Sequence, residues 1–170
     1  KQMYIDYELM DTDSIISAAL DIIADETTSS SVDGDLLVIR TDDERIKKIL
    51  HNLFYDTLNI EFNLWSWVRT AAKYGDCMLY LQIDQEFGVV NVIPIHPSLM
   101  IREEGINENP NAIQFRYEGD GGFYSTENIF EYYEIAHFRL LGDMNMLPYG
   151  VSMIEAARRD YHRLVLAEDA

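Results

Sequence analysis

Apolar positions along the chain fall first at helical and then at strand spacing. Ile15, Ile16, Ala19, Leu20, Ile22 and Ile23 recur at three- and four-residue steps, which at about 100° per residue gives one broad apolar face. Asp11–Asp13 offer side chains able to cap a helix N-terminus. A helix therefore begins there and ends in the polar run Thr27–Ser31. Asp33-Gly34-Asp35 reads as a turn and Leu36–Arg40 as a short strand. Thr41 and Glu44, three apart, form a capping box. The helix it opens carries Ile46, Ile49, Leu50, Leu53 and Phe54 on one face. A third helix runs from Asn59, its cap, through Tyr74 to Gly75, which stops it. Ile60, Phe62, Leu64, Trp65, Trp67, Val68, Ala71 and Ala72 leave that helix little polar surface, which predicts burial on most sides.

From Asp76 the period shortens. Asp76–Asp84 and Gly88–Ile95 read as a hairpin across Gln85–Phe87. Leu99–Arg102 and Ala112–Tyr117 read as strands joined through Gly105–Asn111. Gly119-Asp120-Gly121-Gly122 is a hairpin loop, and Phe123–Tyr124 and Ile135–Leu140 add β character. Gly142–Tyr149 turns the chain into a last helix near Ser152. Helices, then strands, then a helix make an α+β fold, not alternating βαβ units. The expected architecture is a set of N-terminal helices packed on an antiparallel β-meander, ending in a long helix. The chain divides into an α+β domain over 1–150 and the start of that helix over 151–170.

Ile154, Ala157, Tyr161, Leu164 and Val165 share one sector of the last helix and are its expected core stripe. Arg159 and Arg163, one turn apart, lie on another side with Leu166. An Arg pair and a Leu outside the core stripe suit a helix that touches a neighbouring subunit. In Leu147-Pro148-Tyr149-Gly150, Pro fixes φ and Gly permits a tight turn. Tyr149 and Gly150 are thus either a lead-in to the helix or a junction between domains or subunits.

Composition narrows the function classes. The chain has 170 residues, 48% hydrophobic and 25% charged, with a net charge of −17. Such an acidic surface does not grip nucleic-acid phosphates or an anionic membrane. The acid is uneven: residues 1–35 carry nine acids and one base, residues 136–170 five acids and four bases. Arg158, Arg159 and Arg163 cluster in the second segment. No run of eighteen apolar residues spans a bilayer, and nothing reads as a signal peptide. The chain lacks an initiator Met, and its helical pattern is still running at Ala170. It therefore reads as a piece of a longer polypeptide.

No catalytic set emerges. His51, His96, His137 and His162 lack metal-ligand spacing. The pairs Asp42-Asp43, Glu103-Glu104 and Glu168-Asp169 suit solvated faces. The Gly119–Gly122 run carries an Asp that would repel phosphate. Cys77, the single cysteine, excludes a disulfide framework and reads as a buried structural thiol. Neither a cofactor nor a metal is expected.

Four segments together resemble one family. They are "DSIISAALDIIADETT" (13–28), "ILHNLFYDTLNIEFNLWSWVRTAAKYGDCML" (49–79), "IAHFRLLGDMNMLPYG" (135–150) and "YGVSMIEAARRDYHRLVLAEDA" (149–170). Each is similar to portal proteins of T4-like, contractile-tailed phages, while residues 84–134 match only in general character. The resemblance implies a dodecameric homo-oligomeric ring at one capsid vertex of the virion, assembled in the host cytoplasm. Double-stranded DNA would be packaged and ejected through that ring without tight binding. It implies major capsid protein, terminase and neck or connector proteins as partners, and no membrane. It also implies that 1–150 is the peripheral wing and that the last helix leads toward the stem, with clip, remaining stem and crown beyond Ala170. The alternatives are another phage neck or adaptor protein and a carboxylate-dependent hydrolase.

Overall fold

Nine residues ahead of the expected first helix already form one. Helix α1, Gln2–Met10, buries Asp6, Tyr7 and Met10. Its apolar side chains are spread around the axis, so no one-sided stripe announces it. The computed structural model describes residues 2–30, 34, 36–106, 109, 111–119, 128–142 and 144–168. The turn at Asp33–Asp35, the Gly119–Gly122 loop, the β character at Phe123–Tyr124 and any continuation of the last helix past Ala170 fall wholly or mainly outside these residues.

Helix α2, Ser14–Thr27, starts where its cap predicts: the Asp13 carboxylate accepts from the N–H of Ile15 (2.8 Å) and Ile16 (3.2 Å). Two expectations fail in the next stretch. Leu36–Arg40 forms no strand, since none of its backbone joins a ladder. The cap of α3, Glu44–His51, is Asp43, whose carboxylate accepts from Arg45 and Ile46 N–H. Thr41 instead accepts from Asp43 N–H, two residues early. Helix α3 runs on into a π-helical segment, Asn52–Thr57.

Helix α4 spans Ile60–Tyr74 and ends at Gly75 as expected. Asn59 supplies its backbone carbonyl rather than its side chain, in a left-handed conformation (φ 44°). The expected near-complete burial of α4 is not observed. Ile60, Trp67, Ala72, Lys73 and Tyr74 are buried, whereas Phe62 is exposed and Trp65 borders solvent. Neighbours cover only part of the helix: α1, packed on Ala72 and Tyr74; α2, tied by Arg69 to Asp21 and by Trp65 Nε1 to Asp25; Asp11 between those two helices, also held by Arg69; and the first sheet.

The strands form two antiparallel three-stranded sheets. Strands β1 (Asp76–Asp84) and β2 (Gly88–Ile95) make the expected hairpin. The chain then builds β3 (Met100–Glu104), β4 (Ile113–Tyr117) and the unanticipated β5 (Ile129–Glu131), in order β3-β4-β5. Strand β6 (Ile135–Arg139) returns to the free edge of β1, giving order β2-β1-β6. Side chains alternate across β1. Met78 meets Ile95, Ile135, Met100, Phe115 and Phe130 between the sheets, while Cys77 and Leu79 face Trp67 of α4. A third cluster joins Tyr7, Met10, Leu20, Ala72, Tyr74 and Ile154. Its last member precedes α5 (Glu155–Glu168), so α1, α2, α4 and α5 share one core.

Candidate assembly interface

Where α5 leaves the body, backbone lies directly on backbone. Gly75, at φ 82°, ends α4, and its carbonyl accepts from Leu140 N–H (2.8 Å). Val151 N–H in turn donates to the Leu140 carbonyl (2.8 Å). A Cβ on Gly150 would fall on the Gly75 carbonyl, and one on Gly75 would meet the Gly150–Ser152 backbone at 2.6–2.7 Å. Asp76, 1% exposed, fastens this corner: its Oδ1 accepts from Gly150 N–H (2.9 Å) and His137 Nε2–H (2.7 Å). Ser152 Oγ donates to the Lys73 carbonyl (2.6 Å) and accepts from Ile154 N–H (3.1 Å), so it caps the approach to α5. The Tyr149 hydroxyl accepts from Arg102 N–H (3.0 Å) on β3. The two junction residues read from the sequence, Tyr149 and Gly150, thus make contacts within the chain. One reaches the second sheet and the other the α4–β1 corner.

Helix α5 is held by α1. Arg158 grips Glu155 through two nitrogens (both 2.9 Å) and reaches Asp6 Oδ2 (3.0 Å). The Tyr7 hydroxyl donates to Glu155 (2.6 Å), and that of Tyr161 to the Leu9 carbonyl (3.1 Å). His162 Nε2 lies 3.2 Å from Asp6 Oδ2. Burial and then the Glu155 carboxylate push the Tyr7 phenol above its ordinary range. The Arg158 guanidinium beside it holds the Glu155 carboxyl below its own. Burial would raise Asp6, but hydrogen bonds from Gln2, Arg158 and His162 outweigh it and leave that carboxyl low.

This packing corrects the expected core stripe of α5. Ile154 is buried and Tyr161 half-buried, but Ala157, Leu164 and Val165 are exposed. The packed sector is turned toward Glu155, Arg158 and His162, by roughly 70° at 100° per residue, because the partner is the acid-bearing α1. Arg158 therefore does not belong with Arg159 and Arg163 as a free basic cluster. Arg159 is exposed, Arg163 makes only a loose pair with Asp160 (3.3 Å), and Leu166 is 71% exposed. Those three share a face turned away from α1. Two sequence signals pointed to Arg158's role: Glu155 three residues earlier and the acid surplus of residues 1–35.

Among the described residues, no group of three or more His, Cys, Asp or Glu could hold a metal ion. Burial and then Asp76 push the Cys77 thiol up to about 12, far from a nucleophile's range. No described helix is long and apolar enough to cross a membrane. The geometry is that of a braced support that presents one helix face.

The profile of the bacteriophage T4-like portal protein (Gp20) family matches residues 1–170. The chain belongs to that family. No curated protein matches it. As a T4-like portal protein it is a structural protein of a bacteriophage, and its family places it at the capsid vertex of the virion. The braced corner and the outward face of α5 are thus features of a portal subunit. Histidines 96, 137 and 162 act in it as hydrogen-bonding side chains: His96 beside Tyr74 and Ser98, His137 on Asp76, His162 on Asp6.

Proposed function

We propose that the chain is one subunit of a closed, dodecameric portal ring. In this reading residues 1–150 form a wing and α5 leads toward the stem. Double-stranded DNA passes through the ring during packaging and ejection. The ring joins the major capsid protein, the terminase and the neck or connector proteins, and it is assembled in the host cytoplasm. It works without catalysis, cofactor or metal. The observation that carries this reading is the family match over the whole chain.

Physical features support it. A conduit must let DNA slide, and a chain of net charge −17 does not hold a polymer bearing one charge per about 1.7 Å. A head-to-tail ring needs two different contact patches per subunit. The outward face of α5, with Arg159, Arg163 and Leu166, supplies one of them. Burying Leu166 in a neighbour contributes about 2 kcal/mol. A bidentate Arg163–carboxylate contact adds a charge-assisted bond of comparable size, about 1.5–3 kcal/mol. Electron microscopy tests this: the parent should give ring-shaped class averages, and Leu166→Asp and Arg163→Glu should deplete them without changing the circular dichroism. Rings formed equally well by both variants would show that this face is not an interface.

A further inference from the structure

A second patch lies between α4 and the first sheet. Leu53, Phe54 and Leu58, the α4 residues Ile60, Leu64 and Trp67, and the outer face of the β2-β1-β6 sheet wall a groove of about 330 Å³. Every lining side chain is apolar. Phe138, on the edge strand β6, is 57% exposed and extends the apolar lining of the groove to the surface. Trp67 is nine-tenths buried in the wall, and its indole N–H has no hydrogen-bond partner among the described residues. A buried donor left unpaired costs free energy that an acceptor on an incoming chain would recover.

The charge around the groove selects its occupant. The segments that line the groove, residues 53–67, 76–95 and 135–139, contain five acids (Asp56, Glu61, Asp76, Asp84 and Glu86) and one base, Arg139, whose Nη1 donates to the Pro148 carbonyl. Asp84 and Glu86 stand exposed at the β1–β2 turn, and Asp56 and Glu61 are exposed on the stretch that leads into α4. Lys47 and Lys48 lie on α3, beside His51, and are not among the residues that wall the groove. A fitting partner brings an apolar side chain flanked by bases. The Leu166–Arg163–Arg159 face of α5 has that composition, and it stands exposed among the described residues.

We propose that this groove receives the α5 face of a second copy of the chain, so that groove and helix are the two halves of one head-to-tail contact. This deepens the ring reading and rests on it. The two patches differ in kind, one concave, apolar and acid-rimmed, the other convex, apolar and basic. The contact is therefore heterologous and propagates around a ring instead of closing a two-fold dimer.

A photo-reactive phenylalanine placed at Phe138 of the protein tests the pairing. Mass spectrometry should find it joined to a peptide from 155–168 of another copy, and the product should be lost in Leu166→Asp. Mixing light- and heavy-isotope chains distinguishes links between copies from links within one. An oligomeric chain whose Phe138 probe joins residues outside α5, or only its own chain, overturns the groove assignment and leaves the ring reading standing. A chain that stays monomeric and gives no link between copies overturns both.

Discussion

Gly150 shows how little freedom the α5 approach has. Its missing Cβ is what lets the chain lie on the Gly75 carbonyl. Gly150→Ala should lower unfolding free energy by about 1–3 kcal/mol in urea titrations, as overpacking does elsewhere. An unchanged midpoint would mean the corner relaxes freely. Asp76→Ala should cost more, because it strands two buried donors, Gly150 N–H and His137 Nε2–H, at about 1–3 kcal/mol each. Acid should act through Asp11. Arg69, and then Lys73, hold that carboxyl at about 2 against a burial effect in the opposite direction. A carboxyl lower in the folded than in the unfolded chain binds fewer protons there, so its stabilisation is complete above about pH 4 and is lost as pH falls toward 2. Denaturation followed between pH 5 and 2 should show a shallower decline in Asp11→Asn than in the parent. At this scale the sequence was readable where one residue acts on its own backbone. Asp13 as a cap and Gly75 as a stop follow from local chemistry alone. Thr41 misled because Asp43, two residues closer to the helix, competes for the same N–H groups.

Among elements, those with a one-sided pattern or a tight turn were legible: α2, the β1–β2 hairpin, and the strands that became β3, β4 and β6. Helix α1 was not, because its apolar residues face two partners and leave no stripe. That omission carried into α5, where five apolar positions suggested one packing sector and α1 imposes another. A helix that packs through ion pairs, Arg158 to Asp6 and Glu155, looks polar in a hydropathy pattern. Arg158→Gln should therefore loosen α5 more than the sheets. Hydrogen exchange should quicken across 155–168 while β1 amides keep their protection. Equal acceleration in both would mean α5 and the sheets open as one unit. Arg159, Arg163 and Leu166 were separable from the packed side of α5 by spacing alone, and all three are exposed, but the groove was not legible. Its residues come from four separated segments whose apolar side chains read individually as core.

For the whole molecule, charge and assembly decide the outcome. With net charge −17 and Arg158 already neutralised by its own chain, the protein should bind duplex DNA only weakly at physiological salt. Fluorescence anisotropy should give no submicromolar, sequence-independent binding, and such binding would contradict a sliding conduit. The central claim is that this chain is a ring subunit built on a head-to-tail contact. Mass photometry of the protein across a concentration series tests it most directly. The account predicts one discrete, closed species near twelve times the subunit mass, lost together in Leu166→Asp and Phe138→Glu. A monomer at every concentration, or an open-ended ladder of masses indifferent to both substitutions, would contradict it.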